Sequence, residues 1–383
     1  MRADRLLYHS LRASHLLWAW ALGVLLHYRL RVPLAAPGRN RLPTNAPSVT
    51  VVLPVRDEER NVEACVRSLL AQEYPNFRVL VLDDNSGDRT LQIAEAHAAV
   101  EGRLGVMRGK SLPEGWVGKS WASHQAAYTA RSEWLLFTDA DVRLHPEALT
   151  ETVALALKRR ADMLSVVQHL ECRTFWEKVL QPAFAAFVLC VRPAFLVNSR
   201  RSRVSYATGQ FILVRSQAYE RSGGYAAVRG DIADDVALAR LLKRGGCELL
   251  LVNATELVRV RMYYGLGEVW AGWRKSLYAA SGSGLPLAAA TVLLLNITSV
   301  LPPMVLAGRL FGLRGAVVRP AAVSVLLMLA ARLSGDRLLR VSPLYGPLQP
   351  LAAVIICANY LASTWRHLTG KGQEWKGRTY GRR

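Results

Sequence analysis

The chain of 383 residues is poor in cysteine and in acidic residues, and it has no internal repeat and no low-complexity tract. Its five cysteines are scattered without a C-x-x-C pair, which argues against a disulfide framework and against a zinc site. The shortage of acid leaves 49 Lys and Arg against 29 Asp and Glu, a formal net charge of +20. Such a charge raises nucleic acid as a partner, but no zinc-finger spacing or RNA-binding aromatic signature accompanies it.

The basic residues flank apolar segments. Six Lys and Arg face a single Glu from Arg366 onward, and arginines also follow the first apolar segment and separate the later ones. This distribution suits an anionic membrane surface. We therefore predict anionic membrane lipids as partners and no nucleic acid. The flanking arginines are Arg29, Arg31, Arg39, Arg41, Arg309, Arg314, Arg319, Arg332, Arg337 and Arg340.

An apolar segment near the start predicts a membrane anchor in residues 1–45. Leu16–Leu26 is short for a span of roughly 20 residues, and Arg29 and Arg31 precede any small-residue cleavage site, which argues against a signal peptide. The charge lies on the C-terminal side of this segment, so the next domain is predicted to face the cytoplasm. We expect a multi-pass protein of the cell inner membrane.

Residues 281–383 are predicted to form a transmembrane region with a basic tail. Pro302 and Pro303 interrupt the first of its apolar segments, so three spans, or two spans and a re-entrant segment, are both compatible with the sequence. The segments of near-spanning length are Leu285–Leu306, Ala316–Ala331 and Leu344–Trp365.

In residues 46–280, predicted strands alternate with predicted helices, and we predict that this segment is the catalytic domain. This alternation predicts an α/β fold with a doubly wound, mainly parallel sheet. A further apolar stretch near 179–197 contains Pro182, Arg192 and Pro193, so we predict an interfacial helix there instead of a span. The predicted strands are Val49–Pro54, Val79–Leu82, Leu104–Met107, Trp134–Phe137, Met163–Gln168 and Gln210–Val214. The predicted helices are Asn61–Gln72, Thr90–Val100, Ser120–Arg131 and Asp234–Lys243.

Acidic clusters lie at the ends of three of these elements. Two of the clusters are at the ends of strands, and the third is at the start of a helix. Asp139 and Asp141 come directly after a short apolar strand, where open α/β sheets form their ligand crevices. Two hard oxygen ligands there suit Mg²⁺ or Mn²⁺ shared with the phosphates of a nucleotide, although a strand-ending turn would also use Asp. Asp83 ends another strand and could accept hydrogen bonds from a base or ribose. Asp234 or Asp235 could act as a general base, with helix capping as the alternative for Asp234.

Four ordered motifs resemble those of the family 2 inverting glycosyltransferases, which have a GT-A fold, over about Ser48–Ala280. Two further motifs are similar to a narrower branch of bacterial membrane enzymes that glycosylate carotenoids and similar lipids, with hopanoid-associated and, more distantly, ceramide-type relatives. The four motifs are Pro54–Glu59, Asp83–Ser86, Thr138–Asp141 and Asp234–Leu241, and the two further motifs are Leu112–Lys119 and Glu374–Tyr380.

The resemblance implies a role for each matching residue. Asp235 corresponds to the general base, while Asp234 stands where the family usually has Glu. Asp141 corresponds to the direct metal ligand, and Asp139 to a residue that contacts ribose or phosphate beside the metal. Lys119 would approach the nucleotide, with a surface lysine near a helix start as the alternative. The residues implied to bind the nucleotide are Pro54, Arg56, Glu58, Asp83, Asp84, Lys119 and Asp139.

One motif departs from the family pattern. Processive members carry a Gln-x-x-Arg-Trp motif, whereas this chain has Trp270–Ser276 with its aromatic residues before the arginine. The departure argues against a polymerising enzyme. Arg274 is still expected to meet the diphosphate, and Trp273 is expected either to stack on a sugar or acceptor or, with Trp270, to anchor at the membrane interface.

The resemblance implies transfer of a sugar, expected to be glucose from UDP-glucose, to a hydroxyl of a membrane lipid such as a carotenoid or hopanoid. A UDP-sugar donor and a lipid acceptor from the bilayer are thus the expected partners. Transfer to polyprenyl phosphate is the first alternative, because that acceptor is already anionic and needs no base. A non-catalytic nucleotide-binding membrane scaffold is the second.

Overall fold

The computed structural model describes residues 2–281, 285–312, 315–369 and 373–380. Parts of the predicted membrane-flanking charge, namely Arg314, Lys371, Arg382 and Arg383, lie outside these ranges. The chain divides into two compact units, which we call the α/β unit and the helical unit. The α/β unit comprises Val32–His169 and Ala194–Met262, and the helical unit comprises Met1–Arg31, Leu170–Pro193 and Tyr263–Arg383. The predicted domain boundaries stay a prediction.

The strands are β1 (Val49–Val55), β2 (Phe77–Asp83), β3 (Leu104–Arg108), β4 (Trp134–Phe137), β5 (Val142–Leu144), β6 (Met163–Val167), β7 (His169–Leu170), β8 (Ile212–Arg215), β9 (Leu249–Asn253), β10 (Val258–Val260), β11 (Gln373–Trp375) and β12 (Arg378–Tyr380). The helices are α1 (Arg2–Leu30), α2 (Val62–Leu70), α3 (Thr90–Ala98), α4 (Gly118–Thr129), α5 (Ala148–Lys158), α6 (Phe175–Val191), α7 (Ala194–Val197), α8 (Ser216–Ser222), α9 (Gly224–Ala227), α10 (Asp234–Arg244), α11 (Leu266–Ser281), α12 (Leu285–Leu295), α13 (Leu301–Leu310), α14 (Val318–Leu338) and α15 (Gln349–Leu368).

The α/β unit is built on a seven-stranded sheet with the order β3-β2-β1-β4-β8-β6-β9. Adjacent strands are parallel except at β8, which runs antiparallel to both β4 and β6. Every residue of β4 and of β6 is buried, as expected for strands whose two faces are both covered. The predicted mainly parallel α/β sheet with a GT-A arrangement is confirmed.

The strand order explains where a ligand crevice forms. The chain runs from β1 outward to β2 and β3, and then returns to place β4 on the opposite side of β1. Such a reversal opens a crevice at the carboxyl ends of the two strands on either side of it. The register aligns Val55 at the end of β1 with Asp83 at the end of β2. The same edge therefore receives the residues that follow β1, β2 and β4.

The helical unit contains three helices that are long and apolar enough to cross a membrane, judged by length and composition over the described residues. They run over Leu285–Leu310, Val318–Leu338 and Pro343–Leu368. Helix α1 is not among them, so the predicted N-terminal anchor stays a prediction. The core of this unit includes Leu180, Trp273 and Tyr360.

Pro302 and Pro303 do not break the first of these segments. A π-helical turn over Asn296–Val300 joins α12 to α13, so the chain stays helical. Proline has no N–H and leaves the carbonyl four residues earlier without its helical donor. For Pro302 that carbonyl belongs to Thr298, and it accepts a hydrogen bond from Trp18 Nε1 at 2.9 Å. A side chain of α1 thus satisfies the polar group that the proline frees.

Two side chains of the helical unit lie elsewhere than the sequence suggested. Trp273 is 4 % exposed and its ring packs 4.6 Å from the ring of Phe184, so it has no free face for a sugar or for a membrane interface. Arg332 is 2 % exposed within α14, so the prediction that it flanks a membrane segment is wrong. An arginine in a long apolar helix is kept inside by a carboxylate partner, here Asp336 one turn later.

Candidate active site

The residues after β1 and β2 form one side of the crevice. Arg56 Nη1 donates to the carbonyl oxygen of Asp84 at 2.5 Å, and the N–H of Asp57 donates to Ser86 Oγ at 3.0 Å. Asp57 has φ +50°, and its carboxylate accepts from the N–H of Gly87 at 2.7 Å. These bonds tie the two loops into one rigid wall.

Asp83 is placed to bind a ligand within this wall. It is 2 % exposed, and its Oδ2 accepts from the N–H of Ser86 at 3.2 Å. Its Oδ1 has no hydrogen-bond partner among the residues that the structure describes. A buried carboxylate oxygen without a donor is rare in proteins, and a ligand hydroxyl or N–H would satisfy it. Pro54 is the second-last residue of β1 and Glu58 lies in the connection after it, at the same edge of the sheet.

Lys119 and Asp139 meet at the centre of the crevice. Lys119 is the second residue of α4, and its Nζ lies 2.7 Å from Asp139 Oδ1. Burial lowers the pKa of Lys119, but Asp139, Asp234 and Asp235 raise it more, and the net pKa is well above the ordinary value. The ammonium therefore stays charged, and Lys119 is no ordinary surface lysine.

Gly209 is where the catalytic candidates converge. A Cβ atom added at this residue would lie 2.8 Å from Lys119 Nζ and 3.4 Å from Asp139 Oδ2. The same Cβ would lie 3.6 Å from Asp235 Oδ2. The glycine allows the loop before β8 to pass against three charged groups, and its own N–H donates to Asp235 Oδ2 at 2.9 Å.

Both carboxylate oxygens of Asp235 accept hydrogen bonds from backbone N–H groups. Besides the bond from Gly209, its Oδ1 accepts from the N–H of Val236 at 2.8 Å. Burial and the neighbouring Asp234 raise the pKa of Asp235 to about 6, while Lys119 and the two N–H groups oppose the rise. Asp235 is thus a fixed carboxylate with increased basicity. The N-cap of α10 is Ala233, so the alternative that Asp234 is the capping residue of this helix is wrong.

Asp141 is the carboxylate best suited to a cation. Its Oδ1 is buried and has no hydrogen-bond partner among the described residues. Burial, Asp139 and Glu58 raise the pKa of Asp141 to about 8, and Lys119 opposes this only in part. Like charges destabilise the ionised form of this group, and a divalent cation would stabilise it.

The structure brings the metal candidates to one place but does not assemble a complete protein cage. Among the described residues there is no group of three or more His, Cys, Asp or Glu that could hold a metal ion. Asp139 and Asp141 thus offer two side chains, and Mg²⁺ commonly takes one or two carboxylates together with substrate phosphates. The residues present fit a cation that arrives with a nucleotide diphosphate.

Sequence reasoning placed most of these residues at one edge, with two exceptions. Arg274 lies on α11 in the helical unit, so its predicted contact with the diphosphate stays a prediction. The family resemblance implies that Tyr206–Gln210 borders the donor sugar or the acceptor entrance, but it does not single out Gly209. A glycine before a strand usually indicates only a turn or a bulge, so its contact with Asp235 was not predicted.

Comparisons with known proteins agree with this arrangement. The family model for glycosyl transferase family 2 matches residues 50–234. The 4,4'-diaponeurosporenoate glycosyltransferase of Staphylococcus haemolyticus is 26 % identical over 62 % of this chain and 63 % of its own length. The enzyme of the same name from Staphylococcus aureus strain USA300 is 25 % identical over 63 % of this chain and 64 % of its own length. The matches thus span less than two thirds of these relatives.

A solved structure shares the fold. The mannosyltransferase PcManGT from Pyrobaculum calidifontis, in complex with GDP-Man and Mn²⁺, has a TM-score of 0.58 and 18 % identity, covering 94 % of this chain and 98 % of its own. The family match includes the segments after β1, β2 and β4, and it ends one residue before Asp235. Residues 50–234 thus match the family 2 glycosyltransferases, and the chain is similar to carotenoid glycosyltransferases.

Proposed function

We propose that this protein is an inverting glycosyltransferase that moves glucose from UDP-glucose to a hydroxyl of a membrane lipid such as a carotenoid or hopanoid. The observation that carries the proposal is the convergence of Asp235, Lys119 and Asp139 around Gly209 at the carboxyl edge of the sheet. The printed names of the relatives refer to a carotenoid acceptor, and this supports a lipid substrate.

The donor would lie along the crevice from Asp83 to Asp141. Asp83 and Asp84 would accept hydrogen bonds from the nucleoside, with Pro54, Arg56 and Glu58 forming the adjoining wall. Asp141 and Asp139 would hold Mg²⁺ or Mn²⁺, a choice supported by the Mn²⁺ in the complex of the structural neighbour. The cation would supply charge stabilisation for the diphosphate leaving group.

The chemical step needs one base and one cationic side chain. Asp235 takes the proton of the acceptor hydroxyl as the oxygen forms a bond to the anomeric carbon, on the face opposite the breaking bond to the diphosphate. Lys119 presents its ammonium to the departing phosphate oxygens. No covalent sugar–enzyme intermediate forms, so the configuration inverts. Asp234 adds negative charge that strengthens the base, and Arg274 would contact the diphosphate.

The acceptor would come from the bilayer. Three helices have the length and apolar composition of membrane spans, which supports a membrane enzyme. The arginines after the first apolar segment favour a cytoplasmic α/β unit in an inner membrane, in contact with anionic lipids. Nucleic acid has no role in this proposal.

Two alternatives remain distinct from the proposal. A polyprenyl-phosphate acceptor, or a carboxylate such as the name diaponeurosporenoate denotes, arrives ionised and needs no general base. A non-catalytic scaffold would bind a nucleotide without turnover. The carboxylate fixed by Gly209 and Val236, with its raised pKa, favours the hydroxyl acceptor, because a base is of use only when a proton must be removed.

The deciding experiment compares lipid extracts from cells that express the wild-type chain or Asp141→Ala. Mass spectrometry of extracts with the wild-type chain is expected to show a lipid that gains one hexose, and the variant extracts are expected to lack it. Binding of UDP-glucose by the purified protein with Mn²⁺ or Mg²⁺ provides the companion measurement. Binding without any hexose-bearing lipid in either extract would favour the scaffold and overturn the transferase.

A further inference from the structure

The helical unit contains a cavity of about 400 Å³ that has no part in the chemistry proposed above. Its wall is mainly apolar and comes from α1, α6, α14, α15 and the helix around the π turn. Trp20 and Val191 line it and are 49 % and 54 % exposed, whereas Leu25 and Ala331, which also line it, are 1 % and 0 % exposed. The cavity therefore runs from the surface of this unit into its core. Its size falls within the range of ligand pockets, about 300–1,000 Å³.

The inner end of this cavity is polar. Ser299 and Arg332 both line it and are 0 % and 2 % exposed. Ser299 Oγ and Arg332 Nε have no hydrogen-bond partner within the described part of the chain. Arg332 Nη1 donates to Gln349 Oε1 at 3.2 Å, and Nη2 lies 3.3 Å from Asp336 Oδ1 in an ion pair without a hydrogen bond. Ser299 Oγ and Arg332 Nε are thus buried donors that remain for a ligand.

The backbone at this end is also specialised. Thr298 and Ser299 belong to the π-helical turn over Asn296–Val300, and both line the cavity. Single π turns inside α-helices are frequent at functional sites, because the wider turn displaces side chains from the regular helical positions. The turn and the unpartnered donors are independent observations at one place.

We propose that this cavity binds one hydrocarbon chain of a bilayer lipid, with a carbonyl oxygen of that lipid accepting hydrogen bonds from Arg332 and Ser299. Both groups are donors, so the ligand must supply an acceptor. Asp336 already balances the charge of Arg332, so an ester carbonyl suits the site as well as a carboxylate does. The chain enters from the hydrocarbon layer, because Leu294, which lies on a helix of spanning length, also lines the cavity and is 39 % exposed.

Photolabelling tests this site on the full chain in nanodiscs of phosphatidylcholine and phosphatidylglycerol. The probes are palmitic acid with a diazirine in its chain and a phosphatidylcholine with the same acyl chain, and labelled peptides are identified by mass spectrometry. We expect label on residues 294–299 and 331–332. Label from both probes indicates a diacyl lipid, and label from the fatty acid alone indicates a single-chain acid. Either result supports the site.

A pair of matched variants decides whether the label reports the cavity. Val191→Trp places an indole at the mouth and is expected to lower labelling of the inner end roughly tenfold, since several methylene groups lose their burial. Val354→Trp is the control, because Val354 is similarly exposed at 48 % but does not line the cavity. Both positions are exposed, so neither variant overfills the core.

A third variant tests the polar end without changing the size of the mouth. Ser299→Ala removes one donor and is expected to weaken labelling by the fatty acid about threefold to tenfold. Equal labelling in wild type, Val191→Trp and Ser299→Ala would overturn the proposal, as would label confined to outward residues such as Leu293 and Leu326. UDP-glucose turnover measured on the same samples keeps this result separate from the transferase proposal.

Discussion

Each compact unit contains an ion pair away from bulk water, and the two pairs differ in what surrounds them. Lys119 and Asp139 lie 2.7 Å apart with side chains 21 % and 24 % exposed, beside further carboxylates. Arg332 and Asp336 lie 3.3 Å apart with side chains 2 % and 1 % exposed, beside a neutral amide from Gln349. The first pair is accessible and lies in an excess of negative charge. The second is buried and balanced.

The difference shows how one chain uses buried charge in two ways. Around Lys119 the carboxylates outnumber the cationic side chain, an imbalance that suits the cation and the nucleotide sugar of the proposed function. Around Arg332 the charge is compensated within the unit, so removing one partner acts mainly on stability. Four substitutions or conditions test this contrast.

The largest effect is expected from Asp235→Asn. Removal of a general base typically lowers turnover by about 10²–10⁴-fold, and the amide keeps the size of the side chain. Turnover is measured as UDP release with the lipid acceptor. Asp231→Asn, in the exposed loop before α10, is the matched control and should retain full activity. Retained turnover in Asp235→Asn would indicate an acceptor that arrives ionised, such as a phosphate or carboxylate.

Arg332→Met tests the buried pair of Arg332 and Asp336. Removing one partner leaves Asp336 buried without its counter-charge, and such a change costs about 3–5 kcal/mol. Thermal denaturation of the full chain in detergent should show a large drop in the transition temperature. Arg332→Met combined with Asp336→Leu should recover most of that loss, because no unpaired charge then remains. If the double variant were no more stable than the single one, the pair would not be the source of the effect.

Gly209→Ala tests the convergence of the catalytic groups without removing any of them. The added methyl would lie 2.8 Å from Lys119 Nζ, so the ammonium must move. A displacement on the order of 1 Å in an active site can cost about 10²-fold in rate, and we expect kcat to fall by up to that amount. Gly102→Ala is the control, because no atom lies within 4 Å of its added Cβ. Unchanged kcat in Gly209→Ala would contradict the crowding.

The pH profile gives the smallest expected effect. A base acts in its ionised form, so activity should be complete above the pKa of Asp235, about 6, and fall about tenfold per pH unit below it. The groups that act on this pKa are Asp234, Lys119 and the N–H groups of Val236 and Gly209. The measurement is kcat against pH at saturating cation and donor. Asp234→Asn should move the fall to lower pH, since one like charge is removed, and a profile that stays in place would contradict this.

The sequence predicted the position of the candidate residues where they directly follow strands. The apolar run Trp134–Phe137 ends in Asp139 and Asp141, and a parallel sheet necessarily gathers such strand ends at one edge. Gly209 and Arg332 could not be predicted in the same way. A loop glycine and an arginine between apolar segments are each common for several reasons, and only their spatial neighbours decide among these reasons.

The sequence by itself determined the α/β sheet, the carboxylates at its edge and the apolar helices that follow, because period, spacing and hydrophobicity are local properties. The tertiary structure alone decided that Gly209 holds Asp235, that Asp141 keeps an unpartnered oxygen, and that Arg332 lies inside a helical unit beside a cavity. These features depend on contacts between residues far apart in the chain. The packing of the chain determines how deeply such residues are buried and which charges surround them, and a local sequence pattern contains no information about this packing.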